Sequence, residues 1–461
     1  MEDFDIVVIG GGTGNKVARA AAESGRTVAL IERGPIGGTC VNRGCNPSKT
    51  LIQHAKIAET IKRANEFAIS ARIEEIDFTE IIQNVVASVD EKAADMERAD
   101  EAHENITLYR EEARFVGERT LDVGGNEVRG SKVIIAAGTR PFIPSIEQID
   151  SVPYLTSREA LRLETQPEHL VIIGGGYIAA ELGHFYEALG TRVTIIGSKP
   201  LLLSREDGDV AETFTEIARQ RHTIHTGYTA TAVEYQQQSS SDEIKIHAEN
   251  QSGETVSITG DALLVATGRR PNTDTLDLET AGISLTDRGF VETDEFLETS
   301  AENVWASGDI AGNYQLKHAA DHEAKYVIAN AVHGEHQSVT YPGMAHAVFT
   351  VPQIASTGAT EEQLQDTGRE YVIGRCAFAD TVMGRALKDH DGFVKVLAAP
   401  DTGTVLGCHI IGHEASTLIH EVSVAVARGT GTVEDITDVI HVHPALNKVV
   451  LEAFEDVAVD R

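Results

Sequence analysis

The sequence predicts an α/β protein of more than one domain, and three observations carry that expectation. The chain has 461 residues, beyond the size at which one hydrophobic core keeps growing, so two or three domains are expected. Its 41% hydrophobic residues suffice for a sizeable core. Most telling, DIVVIGGGTGNKVARAAAESGRTVALIERG (5–34) and HLVIIGGGYIAAELGHFYEALGTRVTIIGS (169–198) repeat one plan: buried strand, glycine turn, amphipathic helix, second buried strand. Each fits a Rossmann-like βαβ dinucleotide unit, whose glycines allow a tight turn and let a pyrophosphate approach the helix N-terminus.

In the first unit Gly10, Gly12 and Gly14 form the turn, with Thr13 inside it. Glu32 lies 20 residues after Gly12, placed to bind a ribose through its hydroxyls, as the adenosine of FAD requires. The third motif position is Asn15, a departure from the small residue expected for close helix packing. In the second unit Gly174, Gly176 and Ala179 hold the three positions. Aligning the units on Gly25 and Gly190 puts Gly197 where Glu32 stands, followed by Ser198, Lys199 and Arg205. Without a carboxylate to repel a 2′-phosphate, and with cations following, this unit favours NADPH over NADH.

After the Glu32 strand comes GGTCVNRGCNPSK (37–49), with two of the four cysteines. Cys376 and Cys408 are isolated, so the two short-spaced pairs of a zinc site are missing and no metal is expected. Ordinary buried thiols and a redox-active disulfide remain. In an ideal helix, positions i and i+5 have Cα atoms roughly 8.7 Å apart, whereas a disulfide needs about 4.4 to 6.8 Å. A Cys40–Cys45 bond therefore requires a distorted helix, which Gly44 permits.

Charge narrows the partners. The net charge is −32, from 71 acidic against 39 basic residues, so nucleic acid and anionic membranes are repelled. A chain this acidic repels itself in dilute buffer and is expected to need molar salt. No signal peptide precedes the first strand and no apolar run reaches membrane-spanning length, so a cytoplasmic location is expected.

With GGGTGN, GGTCVNRGCNPSK, GGGYIAAE, ATGRRPN (266–272), TSAENVWASGDI (299–310) and HVHPALNK (441–448), the chain resembles, over its whole length, the flavoprotein disulfide reductases: the glutathione reductase, dihydrolipoamide dehydrogenase and mercuric reductase group. The resemblance implies an FAD domain at 1–146, an inserted NADPH domain at 147–268, a return to the flavin at 269–338 and a C-terminal α+β dimerisation domain at 339–461. Within the inserted domain, EYQQQSSSDE (234–243) reads as a surface hairpin. Further cofactor contacts are implied at Arg33, Gly38, Thr39, Gly138 and Gly268, with Asp309 on the ribityl chain, His318 by the flavin ring and Tyr177 as an aromatic gate over the nicotinamide pocket.

The resemblance also implies roles. Cys40 and Cys45 form the redox-active disulfide, Cys45 lying against the flavin and Cys40, expected to be the more exposed, attacking the substrate. His443 of the partner subunit acts as acid and base in a shared active site of a homodimer. Lys49 and Glu181 pair near the flavin. The family usually places a glutamate five residues after this histidine, but here that residue is Lys448. Either Glu452 substitutes or the histidine works unaided.

His443 and the absence of a terminal cysteine pair argue against a mercuric reductase, and Gly197 with Lys199 against an NAD-linked dihydrolipoamide dehydrogenase serving a 2-oxoacid dehydrogenase complex. Both stay as alternatives. The expectation is an NADPH-dependent reductase of a low-molecular-weight thiol disulfide, with Thr13, Lys16, Arg19 and Arg43 forming a basic substrate pocket. Taken with the acidic composition, the resemblance implies bis-γ-glutamylcystine as that disulfide.

Overall fold

A computed structural model describes residues 1–237 and 243–457, so 238–242 of the expected hairpin segment lie outside the described residues. The chain divides into two compact units. The first comprises 1–50, 82–142 and 268–341, the second 51–81, 143–267 and 342–461. Residues 51–81 thus cluster with the second unit rather than with the N-terminal segment they follow.

The first unit is built on a seven-stranded sheet in the order Ile106–Tyr109, Val28–Ile31, Glu2–Ile9, Asn126–Ile135, Thr120–Val123, Ala113–Gly117, with Val304–Ala306 also pairing Asn126–Ile135. The strands around Glu2–Ile9 are parallel, in register Ile6↔Val28 and Ile6↔Lys132. Val28–Ile31 is buried along its whole length, as a parallel strand covered on both faces must be, which is why the sequence reads as an unbroken apolar run. Helix Gly14–Glu23 packs on it through Val17, Ala18, Ala21 and Ala22. Thr139–Pro141 and Arg269–Pro271 form a separate antiparallel ribbon.

The second unit holds three sheets. His169–Ile173 is the middle of a parallel sheet with Arg192–Gly197, Thr223–Thr226 and Ala262–Val265, and helix Tyr177–Ala188 links its first two strands. Tyr228–Gln236, Glu243–Asn250 and Thr255–Gly260 form an antiparallel sheet. The C-terminal portion is α+β: five antiparallel strands, Ala345–Val348, Gln353–Gly358, Val405–Gly412, Phe393–Ala398 and Val372–Ala377, with helices Ala415–Arg428 and Lys448–Glu455. Its core gathers Val394, Val396, Ile410, Val422 and Phe454, each such side chain contributing about 1.5–3 kcal/mol by leaving water. Among the described residues no helix is long and apolar enough to cross a membrane.

Candidate active site

The two glycine turns close by the same steric device. Gly10 has φ +110°, and a Cβ there would stand 2.2 Å from the Ala136 carbonyl oxygen. Gly174 has φ +130°, and a Cβ there would stand 2.2 Å from the Ala266 carbonyl oxygen. Each turn runs against the end of a neighbouring parallel strand, its first glycine N–H donating to the carbonyl at the end of another, Gly10 to Ile31 and Gly174 to Ile196, both at 2.8 Å. At the departure Asn15, the close packing passes to Gly14, whose Cβ would meet Val8 at 2.8 Å and Ala136 at 2.9 Å. Asn15 turns away instead, and its amide donates to Asp100 at 2.6 Å.

At the ends of the second strands the units differ. Glu32 is held by two backbone donors, Gly11 N–H to Oε2 and Gly34 N–H to Oε1, both at 2.8 Å. The neighbouring Arg33 is exposed and pairs with Glu112 at 2.7 Å. Gly197 needs no glycine for space: a Cβ there would meet nothing nearer than the Gly175 Cα at 3.7 Å. Beyond it Ser198, Lys199 and Arg205 are exposed, and neither cation has an ion-pair partner among the described residues. The loop that carries them ends at Asp207, which is fully buried and bonded to buried Lys395 at 2.9 Å. Lys395 also meets Asp209 at 3.1 Å and Glu361 at 2.5 Å. Tyr177 opens the helix after the second turn and is 45% exposed, which rules out core packing as its role.

The cysteines sit directly on the first turn. Gly37 N–H donates to the Gly11 carbonyl at 2.8 Å, and a Cβ on Gly38 would stand 2.7 Å from the Gly12 Cα. Helix Gly38–Arg43 carries Thr39 and Cys40, stops at Gly44, and a new helix, Cys45–Lys62, begins at the second cysteine. The break answers the spacing problem. A Cβ on Gly44 would lie 2.8 Å from the Thr39 oxygen and 3.2 Å from the Cys40 Cα, so only glycine lets the two cysteines come this close. Buried Asn42 ties the entry loop, its amide donating to the carbonyls of Ile36 at 3.0 Å and Gly38 at 2.9 Å.

Both cysteines are thiols in this structure. Cys40 is half-buried and Cys45 exposed, the reverse of the order expected. Cys40 lies within its helix beside buried Val41 and Asn42, whereas Cys45 stands at a helix start. Its hydrogen bond to Cys45, then burial, push the Cys40 thiol far above the ordinary range, while Lys317 pulls the other way. Cys45, by contrast, stands at a helix N-terminus, a position that favours negative charge.

Two substrate expectations change. Arg19 is committed to the fold: its Nε meets buried Asp100 at 2.6 Å and its guanidinium donates to the Met96 carbonyl at 2.9 Å. A cation so engaged is not available to a substrate. Lys16 pairs with Asp321 at 2.8 Å, and Asp321 also binds Lys317. Thr13 precedes helix Gly14–Glu23 at the turn, and Arg43 closes the cysteine helix. Lys317 and Asp321 escaped the sequence reading because nothing in their own neighbourhood marks them; they act through contacts hundreds of positions away in the chain.

Asp309 lies on the turn Gly308–Ile310 and accepts from the Thr139 hydroxyl at 2.7 Å, which in turn accepts from Arg269 Nε at 2.7 Å. Gly138 and Gly268 both have positive φ beside the Thr139–Pro141 and Arg269–Pro271 ribbon. His318 is exposed near the start of helix Lys317–Val327. Lys49 is in the first turns of Cys45–Lys62. Glu181 is buried and accepts from the Phe349 N–H at 2.9 Å.

His443 is exposed in the second unit and has no hydrogen-bond or ion-pair partner among the described residues. Glu452 does not stand in for the missing glutamate, since it meets the Cys376 thiol at 3.5 Å. Lys448 turns to Glu455 at 3.9 Å. The nearby carboxylate, Glu421, serves His441 at 3.6 Å and Asn447 at 3.3 Å. Among the described residues the histidine is unaided.

Comparison with known proteins bears on this arrangement. Residues 4–324 match the pyridine nucleotide-disulphide oxidoreductase family, and 344–454 match the family's dimerisation domain. Mycothione reductase of Mycobacterium tuberculosis is 36% identical, covering 98% of this chain and 99% of that one. Dihydrolipoyl dehydrogenase of Haloferax volcanii is also 36% identical, covering 98% and 96%. The solved structure of a Cu(II) complex of the HOCl-induced flavoprotein disulfide reductase RclA from Escherichia coli superposes with a TM-score of 0.87 at 28% identity, covering 99% of each chain.

Proposed function

The chain belongs to the pyridine nucleotide-disulphide oxidoreductases, enzymes that use FAD and NAD(P)H, and on that premise we propose that it is an NADPH-dependent reductase of a low-molecular-weight thiol disulfide. The observation that carries this reading is the helix break at Gly44, which sets Cys40 against Cys45 directly on the first glycine turn. Gly10 to Gly14 with Glu32 would hold FAD and Gly174 to Ala179 with Lys199 and Arg205 would hold NADPH. When bound, FAD carries an electron pair from the nicotinamide to the Cys40–Cys45 disulfide.

The residues then act in order. Two-electron reduction opens the disulfide, leaving Cys45 as thiolate and the proton on Cys40. Because Cys40 holds that proton, it needs a base before it attacks, and His443 of the partner subunit is the proposed one. Exposed apolar side chains beside that histidine, Ile440 at 97% and Val442 at 73%, suit a face that a second copy covers. Cys40 sulfur attacks the substrate disulfide, forming a mixed disulfide, and the first thiol leaves with a proton from the histidine. Cys45 thiolate then attacks Cys40 sulfur, restoring the internal disulfide and expelling the second half of the substrate as a thiolate, which takes its proton from solvent. Lys49 and Glu181 are proposed as the flavin-side ion pair.

The proposed substrate is bis-γ-glutamylcystine, whose four carboxylates would be met by Arg43 and by Lys16 and Lys317, the two lysines that share the single carboxylate of Asp321. Working in molar salt belongs to the same proposal, because a net charge of −32 must be screened. NADPH oxidation in molar potassium chloride, with bis-γ-glutamylcystine or glutathione disulfide at equal concentration, tests it. Preference for the former by about tenfold or more in kcat/KM is expected. Equal rates would remove the substrate assignment, and turnover with dihydrolipoamide and NAD alone would remove the whole reading. Equal melting temperatures in dilute and molar salt would dispose of the salt requirement.

A further inference from the structure

Glu323 is a charged side chain with no exposure to solvent, on helix Lys317–Val327, and the catalytic scheme does not use it. Three donors converge on it. Gly308 N–H donates to Oε2 at 2.5 Å, the Tyr341 hydroxyl to Oε1 at 2.5 Å, and the Asn313 amide to Oε1 at 3.2 Å. An acceptor-only group surrounded by donors is what an ionised carboxylate satisfies and a neutral apolar side chain does not. The gathering point is a backbone that needs holding: Gly308 has φ +76° and precedes Asp309.

Asp309 is therefore fixed from two directions. Thr139, backed by Arg269, holds its carboxylate, while Glu323 holds the peptide immediately before it. We propose that Glu323 is a positioning residue for FAD, its buried carboxylate and the Tyr341 hydroxyl together setting the Gly308–Asp309 turn. This rests on the reading of Asp309 as a flavin contact. The carboxylate does not touch the flavin in this account; it acts through the turn. Burial, with the nearby Asp309 charge adding to it, keeps the Glu323 carboxyl above its ordinary range, against the pull of Tyr341, Gly308 and Asn313. The group is thus maintained at a cost that a simple helix-to-loop packing contact does not require.

The test compares FAD dissociation constants of holoenzyme variants in molar salt, by ultrafiltration and flavin absorbance, with NADPH affinity and circular dichroism as controls. Asp309→Ala establishes the reference and Glu323→Leu should match it, each weakening FAD by about tenfold or more. Glu323→Gln, whose amide oxygen still accepts from Gly308, should restore binding to within about threefold of wild type, with Tyr341→Phe showing a loss of similar size. NADPH affinity should stay unchanged throughout. If Asp309→Ala weakens FAD and Glu323→Leu does not, the proposal fails while the Asp309 reading stands. If Asp309→Ala leaves FAD binding intact, the Asp309 reading fails and the proposal falls with it. Equal losses in FAD, NADPH and helical signal for Glu323→Leu, or no recovery with Gln, would reduce Glu323 to a packing residue and overturn the proposal.

Discussion

The two dinucleotide units share a turn and differ in charge. Gly10 and Gly174 meet a carbonyl oxygen at the same 2.2 Å, so the backbone geometry that receives a pyrophosphate is duplicated. Seven residues past Gly25 and Gly190 the copies part. One presents Glu32, held by Gly11 and Gly34, the other Gly197, where a Cβ would meet nothing nearer than 3.7 Å, followed by two cations without an ion-pair partner among the described residues. Steric demand accounts for the glycine in both turns, whereas the strand ends are free of that demand and differ in charge. Among the described residues, the cysteine helix is seated on the first turn, through Gly37 and Gly38.

The largest effect should come from breaking one turn at a time. Gly10→Ala should lower FAD occupancy by about a hundredfold and leave NADPH binding intact, and Gly174→Ala should do the opposite, since the added Cβ cannot be accommodated without moving backbone. Loss of both cofactors from either variant, measured by flavin content and NADPH titration, would mean that the turns are not independent.

Next in size is Gly197→Glu. A Cβ there meets nothing nearer than 3.7 Å, so the backbone should hold while the ratio of kcat/KM for NADPH over NADH drops by about ten- to a hundredfold. An unchanged ratio would show that strand-end charge does not decide the nucleotide.

Lys317→Met sharpens the difference at the first turn. Removing the cation that pulls Cys40 down should move its ionisation to still higher pH, so alkylation of reduced enzyme by iodoacetamide at neutral pH should slow by about tenfold. The sign is set by the thiol: its folded pKa is already raised, the reactive thiolate is scarce below it, and reactivity should climb as pH rises. Asp321→Asn, which frees both lysines, should shift the profile the other way. Identical profiles would remove Lys317 from the account. Smallest of all, Lys199→Ala should raise the NADPH KM by about three- to fivefold with kcat unchanged.

What was legible in the sequence was local. The glycine turns, Glu32, Gly197 and the helix break between Cys40 and Cys45 follow from spacing and from what a glycine alone tolerates. The residues that were not legible work at long range. Asp100, at the far end of helix Phe78–Glu101, claims Asn15 and Arg19, which turned an expected substrate cation into a structural one. Lys317, Asp321, Glu323 and Tyr341 reach their targets only through the packing of helix Lys317–Val327.

The most direct measurement is anaerobic reduction of the holoenzyme by one equivalent of NADPH, followed by alkylation and peptide mapping of all four cysteines. The account predicts that Cys40 and Cys45 become alkylated only after NADPH, with Cys376 and Cys408 unchanged in both states. Full alkylation of Cys40 and Cys45 before NADPH in the enzyme as purified under air, or no gain after it, would contradict a redox-active disulfide between them.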